Sequence, residues 1–312
     1  DEGKAYIDDF LPGFMEDSYV DGKIYSIPFQ RSTMVLYYNK DAFKEVGLDP
    51  EAPPTTWEEL AEYGQKLTND GRYGVGIALN SGSAQWAFTG FCLQNSTDGQ
   101  NLMSEDGKSV YFNTPENVEA LQFWLDLQNE YKCMAEGIVQ WTDLPTQFLA
   151  GEVAMIYHTT GNMANIHDNA DFDFGTAFLP AHKRVGAPTG GGNFYISSNI
   201  SEDRVQAAWK FIKFATSTDR AAQWSLDTGY VATRQSCFDT DLIKDYYAEV
   251  PQASVAYEQL PYAKPELTTY NAAEIWRVLN DNIQAAVVGD MSAQEALDAA
   301  QEQAEEVLSE YQ

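Results

Sequence analysis

Basic side chains are scarce in this sequence. Its 312 residues include 19 lysines and arginines against 47 aspartates and glutamates, so the formal net charge at pH 7 is −28. A nucleic-acid-binding protein needs a basic surface to displace counterions from phosphates, and an anionic membrane surface also attracts basic segments. The composition therefore argues against both partners. The carboxylates favour solubility, and some of them could also accept hydrogen bonds from ligand hydroxyl groups.

Cysteine is rare as well. The three cysteines are an odd number and have no CxxC spacing, so they indicate neither a disulfide framework nor a zinc site. We expect buried thiols rather than a single disulfide bridge. The residues concerned are Cys92, Cys133 and Cys237.

Histidine occurs three times, without the HExxH spacing of a metal site. The sequence also contains no P-loop and no G-x-S-x-G nucleophile elbow. We therefore expect no metal, no cofactor and no catalytic residues. Of His158, His167 and His182, the first is the best candidate for a functional role because it follows a run typical of a buried strand.

Long hydrophobic runs are missing too. No stretch approaches the ~18 apolar residues of a membrane-spanning helix. The chain opens at Asp1 on a polar segment without the features of a signal peptide.

Strand and helix patterns alternate along the chain, which predicts an α/β fold. With about 100–200 residues per domain, the length favours two domains. Short apolar runs predict strands at residues 22–29, 34–38, 153–157 and 194–197.

Helix starts are marked by the spacing of capping boxes. Thr56 with Glu59, and Ser292 with Glu295, each place a glutamate three residues after a hydroxyl side chain. Gly229 is expected to close the helix before it.

A glycine run at residues 190–192 lies in the loosest stretch, residues 181–192, which we expect to form a loop. The run lacks the G-x-G-x-x-G spacing of a dinucleotide-binding turn and precedes a predicted strand, not a helix. Two interpretations remain open: a hinge-like turn, or a place where backbone approaches a ligand closely.

Four aromatic residues lie outside the periodic core patterns. Each could stack on the apolar C–H face of a sugar, or could simply pack against the protein. They are Trp86, Trp141, Tyr230 and Trp276, whereas Trp124 and Trp209 lie within periodic apolar patterns and are expected in the core.

Several short motifs occur in a characteristic order. They are GKIYSIPF at residues 22–29, RST at 31–33, LYYNK at 36–40, PTTWEEL at 54–60, FLAGEVAM at 148–155, GGG at 190–192 and TGY at 228–230. In this order they resemble the family-1 extracellular solute-binding proteins of ABC importers, which include the maltose-type and glycerol-3-phosphate-type receptors. Each motif is weak alone, but together they cover nearly the whole chain.

The resemblance implies two α/β lobes with the solute in the cleft between them. The chain would cross between the lobes near Arg31, residues 180–186 and Tyr230. Lobe 1 would comprise residues 1–31 and 183–231, and lobe 2 residues 32–182 and 232–312. The implied ligand contacts are Ser32, Trp86, Thr160, Gly191, Tyr230 and Trp276.

The resemblance also implies the setting in which the protein works. The partners would be a sugar and the membrane subunits of an ABC permease. The protein would be extracellular or periplasmic, and its full-length form would be a membrane-anchored lipoprotein.

The sequence departs from the family pattern in two places. The segment that normally forms the first strands of lobe 1 is missing, so we expect an incomplete lobe 1 that self-associates or binds solute weakly. Trp276 stands where glycerol-3-phosphate receptors carry an arginine, and Arg277 would point about 100° away on a helix. These features predict a neutral sugar or oligosaccharide. The alternatives are glycerol-3-phosphate or a related polyol phosphate, and, in another class, a glycoside hydrolase that uses two acidic residues.

Overall fold

The computed structural model describes residues 2–20, 22–80 and 82–312. Asp1 and Asp21, within the range predicted for lobe 1, and Ser81, in the loop before Trp86, lie outside the described residues. The strands are β1 (Tyr19–Val20), β2 (Lys23–Ile24), β3 (Ile27–Asn39), β4 (Tyr73–Gly76), β5 (Val153–Thr159), β6 (Phe174–Ala177), β7 (Ala187–Phe194) and β8 (Ala263–Lys264).

Helices surround these strands, and the mixed arrangement confirms the predicted α/β class. The helices are α1 (Glu2–Asp8), α2 (Pro12–Met15), α3 (Lys40–Glu45), α4 (Trp57–Leu67), α5 (Ala84–Asn95), α6 (Pro115–Asn129), α7 (Leu144–Leu149), α8 (Met163–Asn169), α9 (Glu202–Ala215), α10 (Thr218–Thr228), α11 (Asp241–Glu249), α12 (Ser254–Gln259), α13 (Ala272–Val287) and α14 (Ala293–Leu308).

The main sheet has six strands, in the order β4-β5-β3-β7-β8, with β6 also paired to β3. β3 runs antiparallel to β5, β6 and β7, whereas β4 is parallel to β5 and β8 is parallel to β7. β1 and β2 form a separate two-stranded sheet.

Residues 34–38 lie in a strand, as predicted, and so do residues 27–29, but both belong to the single strand β3, so the predicted division into two strands was wrong. Its first part pairs with β7 up to Thr33, and its second part pairs with β5 from Met34. The polar residues between the two apolar runs concealed this continuity. They fit inside a buried strand because they find partners, as when the Thr33 hydroxyl donates to the Pro188 carbonyl over 2.9 Å.

The glycine run lies inside β7, so the predicted loop over residues 181–192 was wrong in its second half. The predicted strand at 194–197 is also misplaced, since β7 ends at Phe194. Gly191 pairs with Arg31 and has φ of +101°, and a Cβ there would lie 2.0 Å from the Gln30 carbonyl oxygen. A glycine is needed at this position because the two strand backbones approach closely.

The predicted helix ends are largely confirmed. The Thr56 hydroxyl accepts from the Glu59 N–H, although the Glu59 carboxylate accepts from Thr55 rather than from Thr56. Ser292 and Glu295 form a complete, reciprocal capping box at the start of α14. Gly229 ends α10 in the left-handed conformation with φ of +83°.

The largest hydrophobic core lies between the sheet and helices α4, α5, α6, α13 and α14. Trp124 is fully buried there, as predicted, whereas Trp209 is only half-buried and packs against a small separate cluster around Phe10 and Ile212. All three cysteines are free and buried, which confirms the prediction for them.

We predict that Gly191→Ala destabilises the protein, whereas Gly192→Ala does not. A residue with a side chain at position 191 would have to adopt a positive φ, and its Cβ would clash with the backbone of Gln30. We expect this strain to lower the free energy of unfolding by roughly 1–3 kcal/mol. A Cβ at Gly192 would meet only the Gln30 side chain, at 3.5 Å. Urea denaturation of both variants measures the difference. Equal midpoints would show that the strand relaxes around the added methyl group.

Candidate ligand-binding cleft

The carboxyl ends of three strands, β4, β5 and β6, lie near the middle of β3. β4 and β5 are parallel, and β5 and β6 are both antiparallel to β3 and so run in the same direction. All three strands end towards the middle of β3. In α/β sheets, ligands bind outside the carboxyl ends of parallel strands. We therefore expect a binding site near the middle of β3.

Four of the six predicted contact residues lie around the middle of β3. Ser32 pairs with Gly190 of β7, next to Gly191. On the other side of β3, Met34 pairs with the residue before Thr160. Tyr230 lies at the same place because the backbone N–H of Val231, the next residue in the chain, donates to the carbonyl of Arg31 over 2.9 Å.

Tyr230 is fixed against the turn that follows β5. Its ring lies over Gly161, where an added Cβ would approach the ring to 2.7 Å. The backbone at Gly229 packs equally closely against the same turn, since a Cβ at this position would lie 2.7 Å from the Thr160 carbonyl oxygen. Thr160 is 1% exposed, and its hydroxyl oxygen has no hydrogen-bond partner within the described part of the chain.

Trp86 is at the start of α5 and is 8% exposed. Its indole N–H donates to the Thr189 carbonyl over 2.9 Å, and its ring packs on Gly190, where a Cβ would lie 2.7 Å away. Protein thus covers most of this ring. The backbone of the glycine run does approach another group closely, but at Gly190 that group is the indole ring of Trp86.

Trp276 lies on α13 and is half-buried against the largest core. Its indole N–H donates to the Leu267 carbonyl over 2.5 Å. One turn further along α13, Asn280 accepts from the N–H of Gln85 over 2.7 Å. This hydrogen bond holds α13 beside the start of α5. Trp276 and Trp86 therefore sit on adjoining elements.

Arg277 is turned away from Trp276, as expected from the helical spacing. It is exposed and forms ion pairs along its own helix, with Glu274 at 2.6 Å and Asp281 at 2.7 Å.

Arg31 was not recognised as a site-adjacent charge from the sequence. It is 3% exposed and its guanidinium forms an ion pair with Asp17 at 2.9 Å. Its place next to Ser32 in the RST motif was the available signal. Adjacent residues of a strand point to opposite faces, so the two side chains diverge.

Glu266 lies near this ion pair. Burial raises the pKa of its carboxyl group to about 7, and the positive charge of Arg31 partly opposes that rise. The charge of Arg31 is thus balanced mainly by Asp17, the carboxylate to which it is bonded.

Trp141 and His158 stack on each other beside Trp86. The centroids of their rings are 3.8 Å apart, and those of Trp141 and Trp86 are 5.6 Å apart. Burial lowers the pKa of His158 to about 4, so its imidazole is neutral near pH 7. The sequence had marked both Trp141 and His158 as candidates without linking them.

The contacts of the other two histidines lie elsewhere. His167 contacts the neighbouring Asp168, and His182 stacks on Trp57. Among the described residues, no group of three or more His, Cys, Asp or Glu side chains could hold a metal ion. None of the described helices is long and apolar enough to cross a membrane.

Comparison with known proteins places this geometry in context. Residues 1–252 match the family described as bacterial extracellular solute-binding protein. The sn-glycerol-3-phosphate-binding periplasmic protein UgpB of Escherichia coli strain K12 is 30% identical over 325 aligned positions, which cover 97% of this chain and 72% of that protein.

Solved structures agree with the fold. UgpB from Mycobacterium tuberculosis, in complex with glycerophosphocholine, superposes with a TM-score of 0.87 at 26% identity, covering 99% of this chain and 77% of that one. Maltose-bound MalE3 of T. maritima gives a TM-score of 0.85 at 25% identity, covering 98% and 79%.

Proposed function

Since this chain belongs to the bacterial extracellular solute-binding proteins, which serve ABC transporters, we propose that its cleft binds a neutral sugar or oligosaccharide. Proteins of this family bind and deliver solutes and are not enzymes. The spacing of the acidic residues along the sequence singles out no pair for the alternative of a glycoside hydrolase.

The observation that carries the proposal is the pairing of two arginines, Arg31 and Arg277, with carboxylates. An anionic phosphate needs an available arginine or lysine, which binds it best in a bidentate manner. Arg31 is bonded to Asp17, and Arg277 is bonded to Glu274 and Asp281. The net charge of −28 adds a long-range penalty for an anion, although salt screens it beyond ~8 Å.

Each predicted contact residue has a role in this proposal. The rings of Trp86, Tyr230 and Trp276 would stack on apolar sugar faces. The hydroxyl groups of Ser32 and Thr160 and the backbone of Gly191 would hydrogen-bond to the solute. The buried, unpartnered hydroxyl oxygen of Thr160 supports such a role, because a buried polar group without a partner is costly.

A phosphorylated polyol is the rival solute. One relative at 30% identity is named for sn-glycerol-3-phosphate, and one solved relative contains glycerophosphocholine. Another solved relative contains maltose. The neighbours therefore support both classes of ligand.

We also propose the lobe boundaries given by the resemblance. The small core of Phe10, Met15, Ile27 and Ile212 belongs entirely to residues 1–31 and 183–231. Another cluster combines Leu11, Phe14 and Val231 from those ranges with residues from the rest of the chain, as expected where two lobes adjoin. Docking on permease subunits and lipoprotein anchoring are parts of the same proposal.

We predict that neutral sugars, but not glycerol-3-phosphate, raise the melting temperature. A ligand that binds only the native state stabilises it by mass action, by about 2.7 kcal/mol at a concentration 100 times its Kd. A thermal-shift screen of mono- and oligosaccharides, glycerol-3-phosphate and glycerophosphocholine tests this. A response to the phosphate compounds with none to any sugar would decide for the rival solute.

We predict that Trp276→Ala weakens sugar binding by more than tenfold and leaves the protein folded. A half-buried ring at the rim of the core should contribute more to a ligand than to folding, whereas a true core aromatic would cost roughly 3–5 kcal/mol. Calorimetric titration gives the affinity and urea denaturation the stability. Trp209→Ala, at another half-buried tryptophan, is the control. Normal affinity, or early unfolding, would reject the role of Trp276.

We predict that the chain self-associates through residues 183–231. Phe211 and Phe214 are each 57% exposed on α9, and Tyr195 is 67% exposed. Exposed large apolar side chains favour association, and salt should strengthen it by screening the charge of −28. Light scattering of the wild type and of a Phe211→Ser/Phe214→Ser variant measures this. Tyr262→Ser, at another exposed aromatic, is the control; a wild-type monomer at every salt concentration contradicts the prediction.

A further inference from the structure

Glu266 carries a partly buried carboxylate that has no part in the proposed cleft. It follows the short strand β8, which runs parallel to β7 with Lys264 opposite Pro188. Within the described residues, its carboxylate forms no hydrogen bond and no ion pair, although the charge of Arg31 acts on it. A partly buried carboxylate without a partner is unfavourable when it is ionised.

Arg31, in turn, has one unused donor. Its Nη2 donates to Asp17 over 2.9 Å and to Thr189 over 3.3 Å, and its Nη1 donates to Asn193 over 3.3 Å. Its Nε is buried and has no hydrogen-bond partner within the described part of the chain. A buried donor without a partner is also costly. Arg31 and Glu266 therefore each lack a partner that the other could provide.

The charges around Glu266 decide when it is ionised. Burial raises the pKa of its carboxyl group to about 7, the positive charge of Arg31 lowers that pKa, and the negative charge of Asp17 raises it. Because Asp17 already neutralises Arg31, Glu266 keeps its proton up to about neutral pH. The other charged side chains of this region act on one another, and they are Glu16, Lys264 and Glu105.

The segment that carries Glu266 also holds Trp276. The carbonyl of Leu267, the next residue, accepts the indole N–H of Trp276. On the other side of Glu266, the Pro265 carbonyl accepts from the Asn101 side chain over 2.7 Å. A change in the position of Glu266 therefore acts on Trp276 through one peptide unit and one hydrogen bond.

We propose that Glu266 is a proton switch for the solute site. Uncharged, it lies beside the ion pair of Arg31 and Asp17 and leaves the Leu267 carbonyl in place for Trp276. Ionised, it turns to the free Nε of Arg31, and the resulting shift of the backbone weakens the hold on Trp276. Solute affinity thus falls as the pH rises through neutrality. This inference rests on the proposed function, because it concerns the regulation of that same site.

The stability of the protein should show the same transition. A carboxyl group whose pKa is higher in the folded chain than its ordinary value of 4.5 binds a proton more tightly when folded. Acid therefore favours the folded state, and this contribution is lost as the pH rises through about 7. Glu266→Gln is uncharged at every pH, so it should lack this part of the pH dependence.

The test measures urea midpoints and, by calorimetric titration, the affinity for maltose as the probe. For the wild type we expect the affinity to fall about 5- to 10-fold between about pH 6 and about pH 8, in the lower range of coupling between two sites. Glu266→Gln should keep the acid-side affinity at both pH values. Glu302→Gln, at an exposed carboxylate on α14, should behave as the wild type does.

Asp17→Asn tests the placement of Glu266 beside the ion pair. Without the charge of Asp17, Arg31 is left unbalanced and stabilises the ionised form of Glu266, so both transitions should move to lower pH. The double variant Asp17→Asn/Glu266→Gln, which cannot titrate at either position, is the reference. A purely structural role of Glu266 predicts no such movement.

The outcomes separate this inference from the function on which it rests. A wild type that binds neither maltose nor any other neutral sugar at any pH overturns the proposed function and the inference together. A wild type that binds maltose equally well at all pH values, or with a pH dependence that Glu266→Gln retains, overturns the inference alone. Urea midpoints of Glu266→Gln that parallel those of the wild type at every pH also overturn it, because the proton would then be bound elsewhere.

Discussion

The backbone pairing of β3 is the constraint on which the rest of the structure depends. Its thirteen residues pair with β7 in the first part and with β5 and β6 in the second. This strand positions three segments of the candidate cleft. The turn after β5, the glycines of β7 and the chain at Tyr230 each reach their places through a hydrogen bond or ladder partner on it.

A buried charge accompanies this arrangement. Arg31 is in the middle of β3, where its side chain has almost no contact with solvent, and a buried charge without a partner is strongly unfavourable. Asp17 supplies the counter-charge, and hydroxyl and amide oxygens from β7 accept further hydrogen bonds at 3.3 Å. The ion pair thus ties β3 to both the segment before it and β7.

Features set by neighbouring residues in the chain could be predicted from the sequence, whereas features that depend on contacts with distant residues could not. The capping box at Ser292 and the helix end at Gly229 follow from short-range chemistry, and the structure has both. The continuity of β3 depends on distant strands that satisfy its polar centre. The place of Gly191 inside a strand depends likewise on Gln30, 161 positions earlier by the numbering. The link between Trp141 and His158 also depends on the fold, because α7 and most of β5 lie between the two residues in the chain.

The continuity of β3 also has a mechanical consequence. A flexible loop between two bodies permits motion in any direction, whereas a hydrogen-bonded strand resists stretching and in-plane bending and yields most readily to twist. We therefore expect the two lobes proposed above to rotate about the length of β3. We expect this rotation to be centred on the irregular register between Pro28 and Gln30, opposite Gly192 and Asn193 of β7, because a bulge bends a strand and increases its local twist.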